Sequence, residues 1–322
     1  MRLKNFFKHL LTAGLALTIT FGLTGCGTNT ATSQTSITIA TGNTSGTYYP
    51  IGKAIAEIVN QNVEGVKADV QSTSGSLANI SLMQEGTAQI AIVQNDMLYY
   101  AVTGTNNFDK KVEHIMGIAS LYPETCQFVT TAESGINSIE DLRGKRVAVG
   151  SVGSGAESNV RQILQAYGMT YDDIDEEFFS FSESKEALEN GLIDVAFITA
   201  GYPTPAVEEI ANVKNIKLIP LDEDKIIELT KNYPFYAQTN IPAGTYGGVY
   251  EYVPTVSVMA ILVATDKIDE NTAYKMTRAI FNNTDKLKAA HKSAQFISKE
   301  TALKGMGFIQ MNEGAEKFLK EN

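Results

Sequence analysis

The residues of this chain that could do chemistry lie in short loops of glycine, hydroxyl and amide side chains, not in nucleophile–base pairs. The first loop reads Gly42-Asn43-Thr44-Ser45-Gly46-Thr47-Tyr48-Tyr49-Pro50. Its glycines let backbone N–H groups approach a ligand, and Tyr48 or Tyr49 offers a rigid apolar wall ending in a hydroxyl. The second, Ser72-Thr73-Ser74-Gly75-Ser76, brings hydroxyls to a helix start with Asn79 one turn in. The third is Gln94-Asn95-Asp96, directly after an apolar run. The fourth, Gly150-Ser151-Val152-Gly153-Ser154-Gly155-Ala156-Glu157, repeats the physics of the first, and a fifth follows at Thr199-Ala200-Gly201-Tyr202-Pro203. Each alone could be an ordinary capped loop, because the same Ser, Thr and Asn residues close helix N-termini.

The patterns of catalysis are thin. The histidines are His9, His114 and His291, none beside a nucleophile, and the last two are expected on the surface. Gly153-Ser154-Gly155 lacks the spacing of a Gly-x-Ser-x-Gly elbow. No Lys follows the glycines of the fourth loop, so it is not a phosphate-binding P-loop, and its Gly spacing is wrong for a dinucleotide site. Zinc-ligand spacing is absent, so neither a metal nor a cofactor is expected. The acidic stretch Asp172 to Glu177 reads as a solvated face. The cysteines are Cys26 and Cys126, which excludes a disulfide framework, and Cys126 reads as a buried small hydrophobe.

Loops of this kind bind when held beyond the carboxyl ends of parallel strands, where helices begin. The chain supplies that frame. Strands are expected at 37–40, 68–73, 90–93, 122–131, 146–150, 178–181, 195–199, 216–221 and 255–264. Helices are expected at 51–60, 76–85, from 98, 155–167, 184–190, 205–211, 224–232, 270–283, 286–291 and 299–304. Alternation of this sort, twice over, implies an α/β fold of two domains with mostly parallel sheets. The late β-branched stretch Thr255 to Ala264 reads as the chain crossing back. Residues 37–125 and 255–322 then form lobe 1, and 126–254 form lobe 2.

The 322 residues, 43% of them hydrophobic, suffice for ordinary cores. The formal charge of −10 lacks the basic stripe that a nucleic-acid partner requires. Arg2, Lys4 and Lys8 precede an uncharged run from Leu10 to Leu23, too short for a spanning helix of about 20 residues. Residues 1–25 therefore read as a secretory signal. The run ends Leu23-Thr24-Gly25-Cys26, which resembles the lipobox of bacterial lipoproteins and implies lipidation of Cys26. The alternative is a membrane-anchoring helix that happens to meet a cysteine. Cleavage would remove three basic residues and no acid, leaving −13. The small polar stretch 26–36 reads as a flexible tether from a membrane-held lipid to the fold.

The ordered set of motifs resembles the TAXI class of extracytoplasmic receptors that serve tripartite ATP-independent periplasmic (TRAP) transporters. It is carried by Gly46-x-Tyr48-Tyr49-Pro50-x-Gly52, Ser74-Gly75-Ser76-x-x-Asn79, Val93-Gln94-x-Asp96, Asp141-Leu142-Arg143-Gly144-Lys145-Arg146-Val147, Gly153-Ser154-Gly155, Gly201-x-Pro203, Tyr246-x-Gly248 and Gly314-Ala315. Where relatives tend to carry a Pro-x-His-x-Gly-Ala-like stretch, this chain reads Ile309-Gln310-Met311-Asn312-Glu313-Gly314-Ala315. The resemblance implies a type II periplasmic-binding-protein fold, with a ligand cleft between two α/β lobes, and capture of a small organic anion, such as glutamate or another dicarboxylate or 2-oxo acid. Delivery would be to membrane permease subunits. It implies binding positions in the Tyr48 loop, at Ser74–Asn79, at Gln94–Asp96 and at Ser151–Gly155. None of the first four loops holds Arg or Lys. An anion would therefore rest on N–H groups, hydroxyls and the helix starts near Gly46 or Gly155. Rival readings are the binding protein of an ABC-type importer, a ligand-presenting sensor, and a secreted enzyme on the same fold.

Overall fold

The computed structural model describes residues 34–321. The signal segment 1–25, Cys26 and the tether as far as Ser33 lie outside the described residues. In chain order the elements are β1 (Thr35–Ala40), α1 (Tyr48–Asn62), β2 (Val66–Gln71), α2 (Ser76–Gln84), β3 (Ile90–Gln94), α3 (Asn95–Thr103) and the long β4 (Ile115–Thr131). They continue with β5 (Arg146–Ala148), α4 (Gly155–Ala166), β6 (Asp175–Glu177), α5 (Phe181–Glu189), β7 (Val195–Ala200), α6 (Pro205–Val213), β8 (Ile216–Ile219), α7 (Glu223–Asn232) and β9 (Ala237–Ile241). The last are β10 (Val253–Thr265), α8 (Glu270–Asn282), α9 (Thr284–Ala290) and α10 (Glu313–Lys320).

The strands form one curled sheet in the order β2-β1-β3-β10-β4-β7-β5-β6, with β8 added to β4 and β9 to β10. β1 pairs in parallel with β2 and β3, and β5 with β6 and β7. Such sheets need helices on their faces, which the alternating sequence supplies. Between the two parallel groups run β4 and β10, antiparallel to each other. Near Thr125, β4 exchanges β10 for β7, with Ser257 opposite Thr125 on one side and Ala200 opposite it on the other. β10 makes the matching exchange, pairing with β3 at Ala260–Ala264 and with β9 at Val253–Ser257. Apolar residues gather accordingly. One set, around Ile37, Ile55, Ile92 and Leu262, packs β1–β3 under α1 and the C-terminal helices. Another, around Phe128, Val147, Val160 and Phe197, packs the second group. This is the two-lobed type II architecture.

The differences from the sequence reading have local causes. Phe178 to Phe181 is not a strand. Ser180 and Glu183 form a reciprocal capping box that starts α5 at Phe181. The helix expected at 299–304 is a series of turns, in which Thr301 Oγ1 bonds back to the Phe296 and Ser298 carbonyls and Gly305 takes φ +71°. α10 follows instead, capped by Asn312, whose side chain accepts from Gly314 and Ala315 N–H. His291 is buried, 9% exposed, not on the surface. Its Nδ1 accepts from Ser293 N–H at 3.1 Å, and burial lowers its pKa to about 4, so the ring is neutral.

α10 lies so close to α8 that a Cβ on Gly314 would overlap the Glu270 carbonyl oxygen. Backbone cannot move aside as a side-chain tip can. Gly314→Ala is therefore expected to destabilise by about 1–3 kcal/mol, the usual cost of overpacking. Gly307→Ala meets nothing within 4 Å and should be near neutral. Denaturant unfolding of the two variants checks the contrast.

Candidate ligand-binding site

The five loops leave the carboxyl ends of β1, β2, β3, β5 and β7 and lead into α1, α2, α3, α4 and α6. Between the lobes they enclose a cavity of about 50 Å³. Gly46, Thr47, Tyr48, Ser74, Gly75, Ser76 and Gln94 line it from lobe 1, with Gly42 and Asn43. Ser151, Ser154, Gly155 and Thr199 line it from lobe 2, with Ala156, Phe181 and Ala200. Gly75 holds φ +127°, a backbone state that favours glycine, and faces Ser154 at the contact between the lobes. Ser154 Oγ caps α4 by accepting from Glu157 N–H at 3.1 Å. The N–H groups of Gly155 and Ala156, the first two helical residues, have no acceptor one turn back in the helix and belong to the cavity wall.

The remaining candidates hold the walls together. Asn79 is buried and donates to the Thr41 and Ile92 carbonyls at 2.6 and 2.7 Å, fixing the second loop against β1 and β3. The Ser45 carbonyl accepts from Ala206 N–H at 3.1 Å, and Ser45 Oγ lies 2.8 Å from Ser182 Oγ. Thr44 sits in the same loop without lining the cavity. The Gly201 carbonyl accepts from Thr47 Oγ1 at 3.0 Å. The Gly153 carbonyl accepts from Leu77 and Ala78 N–H at 3.2 and 3.4 Å. Pro203 follows a cis peptide bond after Tyr202.

The Ser45, Thr47 and Gly153 bonds cross from one lobe to the other, which holds the lobes together in this structure. A further set lies behind the cavity. Gln94 Nε2 donates to Asn159 Oδ1 at 3.2 Å, and Asn159 Nδ2 donates to Asp96 Oδ2 at 2.7 Å and to the Tyr236 hydroxyl at 2.9 Å. The Tyr236 hydroxyl donates on to Gln162 Oε1 at 2.7 Å, and Gln162 Nε2 donates to the Tyr100 hydroxyl at 2.8 Å. Asp96, expected at the ligand site, hydrogen-bonds instead to Asn159 across the lobes and does not line the cavity.

Glu124 is the residue the sequence reading passed over. It stands on β4 where the strand changes partners, is 2% exposed, and lines the cavity. The Tyr48 hydroxyl donates to its Oε2 at 2.7 Å. Burial pushes its carboxyl well above the usual range, and the neighbouring Asp96 adds to this. Burial also raises Asp96, to about 7. Tyr48 rises well above an ordinary phenol through burial and then the nearby Glu124. The signal was present in the sequence as one acid inside the strand Tyr122-Pro123-Glu124-Thr125-Cys126, since acids are almost never fully buried without a partner.

Among the described residues no group of three or more His, Cys, Asp or Glu is placed to hold a metal ion. Cys126 is buried behind the cavity against Thr199, and burial raises its thiol to about 12, far from the thiolate a nucleophile needs.

Solved structures share the architecture at low identity. MatC from Rhodopseudomonas palustris, with bound malate, is similar at TM-score 0.56 and 12% identity, over 88% of this chain and 95% of that one. The ligand-binding component of an ABC-type import system from Staphylococcus aureus, with zinc bound, gives 0.51 and 11%, over 82% and 85%. The periplasmic aliphatic sulphonate binding protein SsuA from Escherichia coli gives 0.50 and 12%, over 89% and 79%. The family model that matches spans residues 39–322, nearly the whole described fold, and the chain belongs to the NMT1-like family.

Proposed function

We propose that the protein is the extracytoplasmic ligand-capturing subunit of a small-molecule uptake system, of the TAXI type that serves TRAP permeases, and not an enzyme. The observation that carries this is the cavity between two lobes, walled by loops from both and flanked by hydrogen bonds that cross the cleft. The lobes are taken as 37–125 with 255–322, and 126–254, because β4 and β10 change partners beside those limits. They open and close by flexing where these two strands pass. No helix among the described residues is long and apolar enough to cross a membrane. Attachment through a lipid on Cys26 would leave the lobes free to visit a permease.

The ligand is a small organic carboxylate. Its carboxylate meets hydroxyls and the starts of α1 and α4 in a cavity with no basic lining residue. An ABC-type importer remains the second reading, favoured by the likeness to SsuA and the Staphylococcus aureus component. Neighbouring genes separate the two by encoding an ATPase or a large permease.

Thermal unfolding of the full chain tests capture against amino acids, dicarboxylates, 2-oxo acids and sugars. A ligand at about 100 times its Kd stabilises by ~2.7 kcal/mol, a shift of several degrees. A shift with one class of carboxylate and no product formed is the expected result. No shift with any carboxylate would sink the reading.

A further inference from the structure

We propose that lobe 1 carries a second binding site, for a phosphate group, at the end of its sheet opposite the ligand cavity. The site is a groove of about 760 Å³ between the end of α2, the segment before β4 and the turn after β10. Lys110, Lys111, Glu113, His114, Asp266 and Lys267 line it. The charges there are sorted. Both acids are drawn to the histidine: Asp266 Oδ2 lies 2.6 Å from His114 Nδ1, and Glu113 Oε2 lies 3.9 Å from Nε2. The three lysines form no ion pair among the described residues. That is so in a chain where Asp and Glu outnumber Lys and Arg by 36 to 26. Ammonium groups gathered without a counter-charge repel one another, and an anion set among them offsets that repulsion.

The walls of the groove are fixed, and one of them offers a free hydroxyl. Gly104, at φ +68°, packs so closely that a Cβ there would stand 2.6 Å from Lys111 N. Val112 N–H donates to the Ala101 carbonyl at 2.8 Å. Asp266 N–H donates to the carbonyl of His114, itself at φ +66°, which ties the turn after β10 to the segment before β4. Lys267 folds back over the end of α2, with its Nζ 3.2 Å from where a Cβ on Gly86 would stand. Thr265, on the groove wall and 5% exposed, has a buried hydroxyl with no partner. A phosphate suits this set, because its oxygens accept from ammonium and hydroxyl donors alike and its charge meets the three lysines.

The phosphate nearest to hand is that of a lipid headgroup. β1 begins at Thr35 and runs parallel to β3. Gln89, just before β3, accepts from Thr265 N–H at 2.9 Å. The chain therefore enters lobe 1 at the end that holds the groove. With a lipid on Cys26, as the proposed function has it, the eight residues from 27 to 34 reach at most about 29 Å. That keeps this end of lobe 1 near a bilayer surface. The site itself does not depend on that lipid; its source of phosphate does.

The test compares the full chain with K110Q/K111Q/K267Q, three exposed positions, by co-sedimentation at low salt with vesicles of phosphatidylglycerol or of phosphatidylcholine. A lysine near an anionic surface is worth about fivefold in affinity, and Glu113 and Asp266 offset part of what three would give. The triple variant is expected to bind phosphatidylglycerol at least tenfold more weakly, a difference that shrinks at high salt. K53Q/K214Q/K231Q removes the same charge from exposed positions elsewhere and should bind as the wild type does. All three proteins share the N-terminal segment, so its own affinity for vesicles cancels. Neutral phosphatidylcholine should not tell them apart. Calorimetry with inorganic phosphate separates the sources: phosphate binding lost in the first variant, with vesicle binding unchanged, keeps the site and replaces the headgroup with free phosphate. Equal binding of the wild type and the first variant to vesicles and to phosphate overturns the site. So does an equal loss in both variants, which would make it an effect of net charge. Capture in the cavity stands or falls separately, by the response to carboxylates.

Discussion

Gly155→Ala is expected to weaken capture of the cavity's ligand by about fivefold to about 100-fold while leaving the empty protein folded. A Cβ at residue 155 would overlap Gln94 Oε1 and approach Met97 Cγ to 3.1 Å. Gln94 has little freedom to swing away. Its backbone N–H donates to Ser76 Oγ at 3.0 Å, and its amide is held by Asn159, which is held in turn by Asp96 and Tyr236. The start of α4 must therefore draw back from lobe 1, and the closed form carries the overpacking cost. About 1–3 kcal/mol for that cost corresponds to the stated loss, at 1.4 kcal/mol per tenfold. In the open form the methyl group meets no opposite lobe, and alanine suits a helix better than glycine. Titration calorimetry gives the affinity, and thermal unfolding without ligand gives the stability. Wild-type affinity in the variant would mean that the two lobes do not meet at this glycine when ligand is bound.

The second large effect is on pH. Asp96 is fully buried, and burial raises its carboxyl from 3.8 to about 7. The folded chain therefore keeps a proton that the unfolded chain loses. Between about pH 4 and pH 7 the unfolded state binds fewer protons, so stability falls as pH rises through that window and levels off above it. A shift of about three units, at 1.36 kcal/mol each, makes the fall on the order of 4 kcal/mol. Glu124 acts in the same direction, because burial raises it too. Carboxylates held low by hydrogen bonds, Glu183 at its capping box and Asp269 at the cap of α8, act in the opposite sense and at more acidic pH. Burial holds His291 low, at about 4, so its share of stability rises between about pH 4 and pH 6.5 and opposes that of Asp96. The Asp96 share is therefore read against Asp96→Asn: in denaturant unfolding from pH 5 to pH 8 the wild type should lose stability relative to the variant, whatever the change at Asn159 does to the absolute level. Parallel profiles for the two proteins would show that Asp96 is ionised in the fold.

Much of this architecture was legible from residue order alone. Strand–helix alternation and the late run Thr255 to Ala264 pointed to two lobes and a returning strand, and the Gly/Ser/Thr loops do end at one cavity. Side-chain direction was not legible. Asn79 and Asp96 have the right chemistry and stand in the right loops. Yet Asn79 turns into the lobe to tie β1 to β3, and Asp96 turns toward Asn159. Glu124 escaped because the loops drew attention away from strands, and a strand that changes partners opens its middle to the cleft. His291 was misplaced because the polar stretch Lys286 to Lys292 hides a tertiary contact: Ser293 Oγ donates to the Tyr202 carbonyl at 3.0 Å, pulling that segment against lobe 2. Ser180 and Glu183 carried a readable helix-start signature that the aromatic run Phe178–Phe181 obscured.

The place of β10 has a consequence for how the chain is made. β10 lies between β3 and β4 in the sheet, yet it begins 122 residues after β4 ends, at Val253 against Thr131. At 5–20 residues per second, a ribosome leaves the edges of β3 and β4 without their central partner for on the order of ten seconds. Both are rows of buried apolar residues such as Ile90, Ile92, Val93 and Leu121, the kind of open edge that templates aggregation. A chain truncated before residue 253 would keep those edges permanently. Secretion of an unfolded chain, with folding deferred until its last fifth has arrived, would spare the cell that exposure.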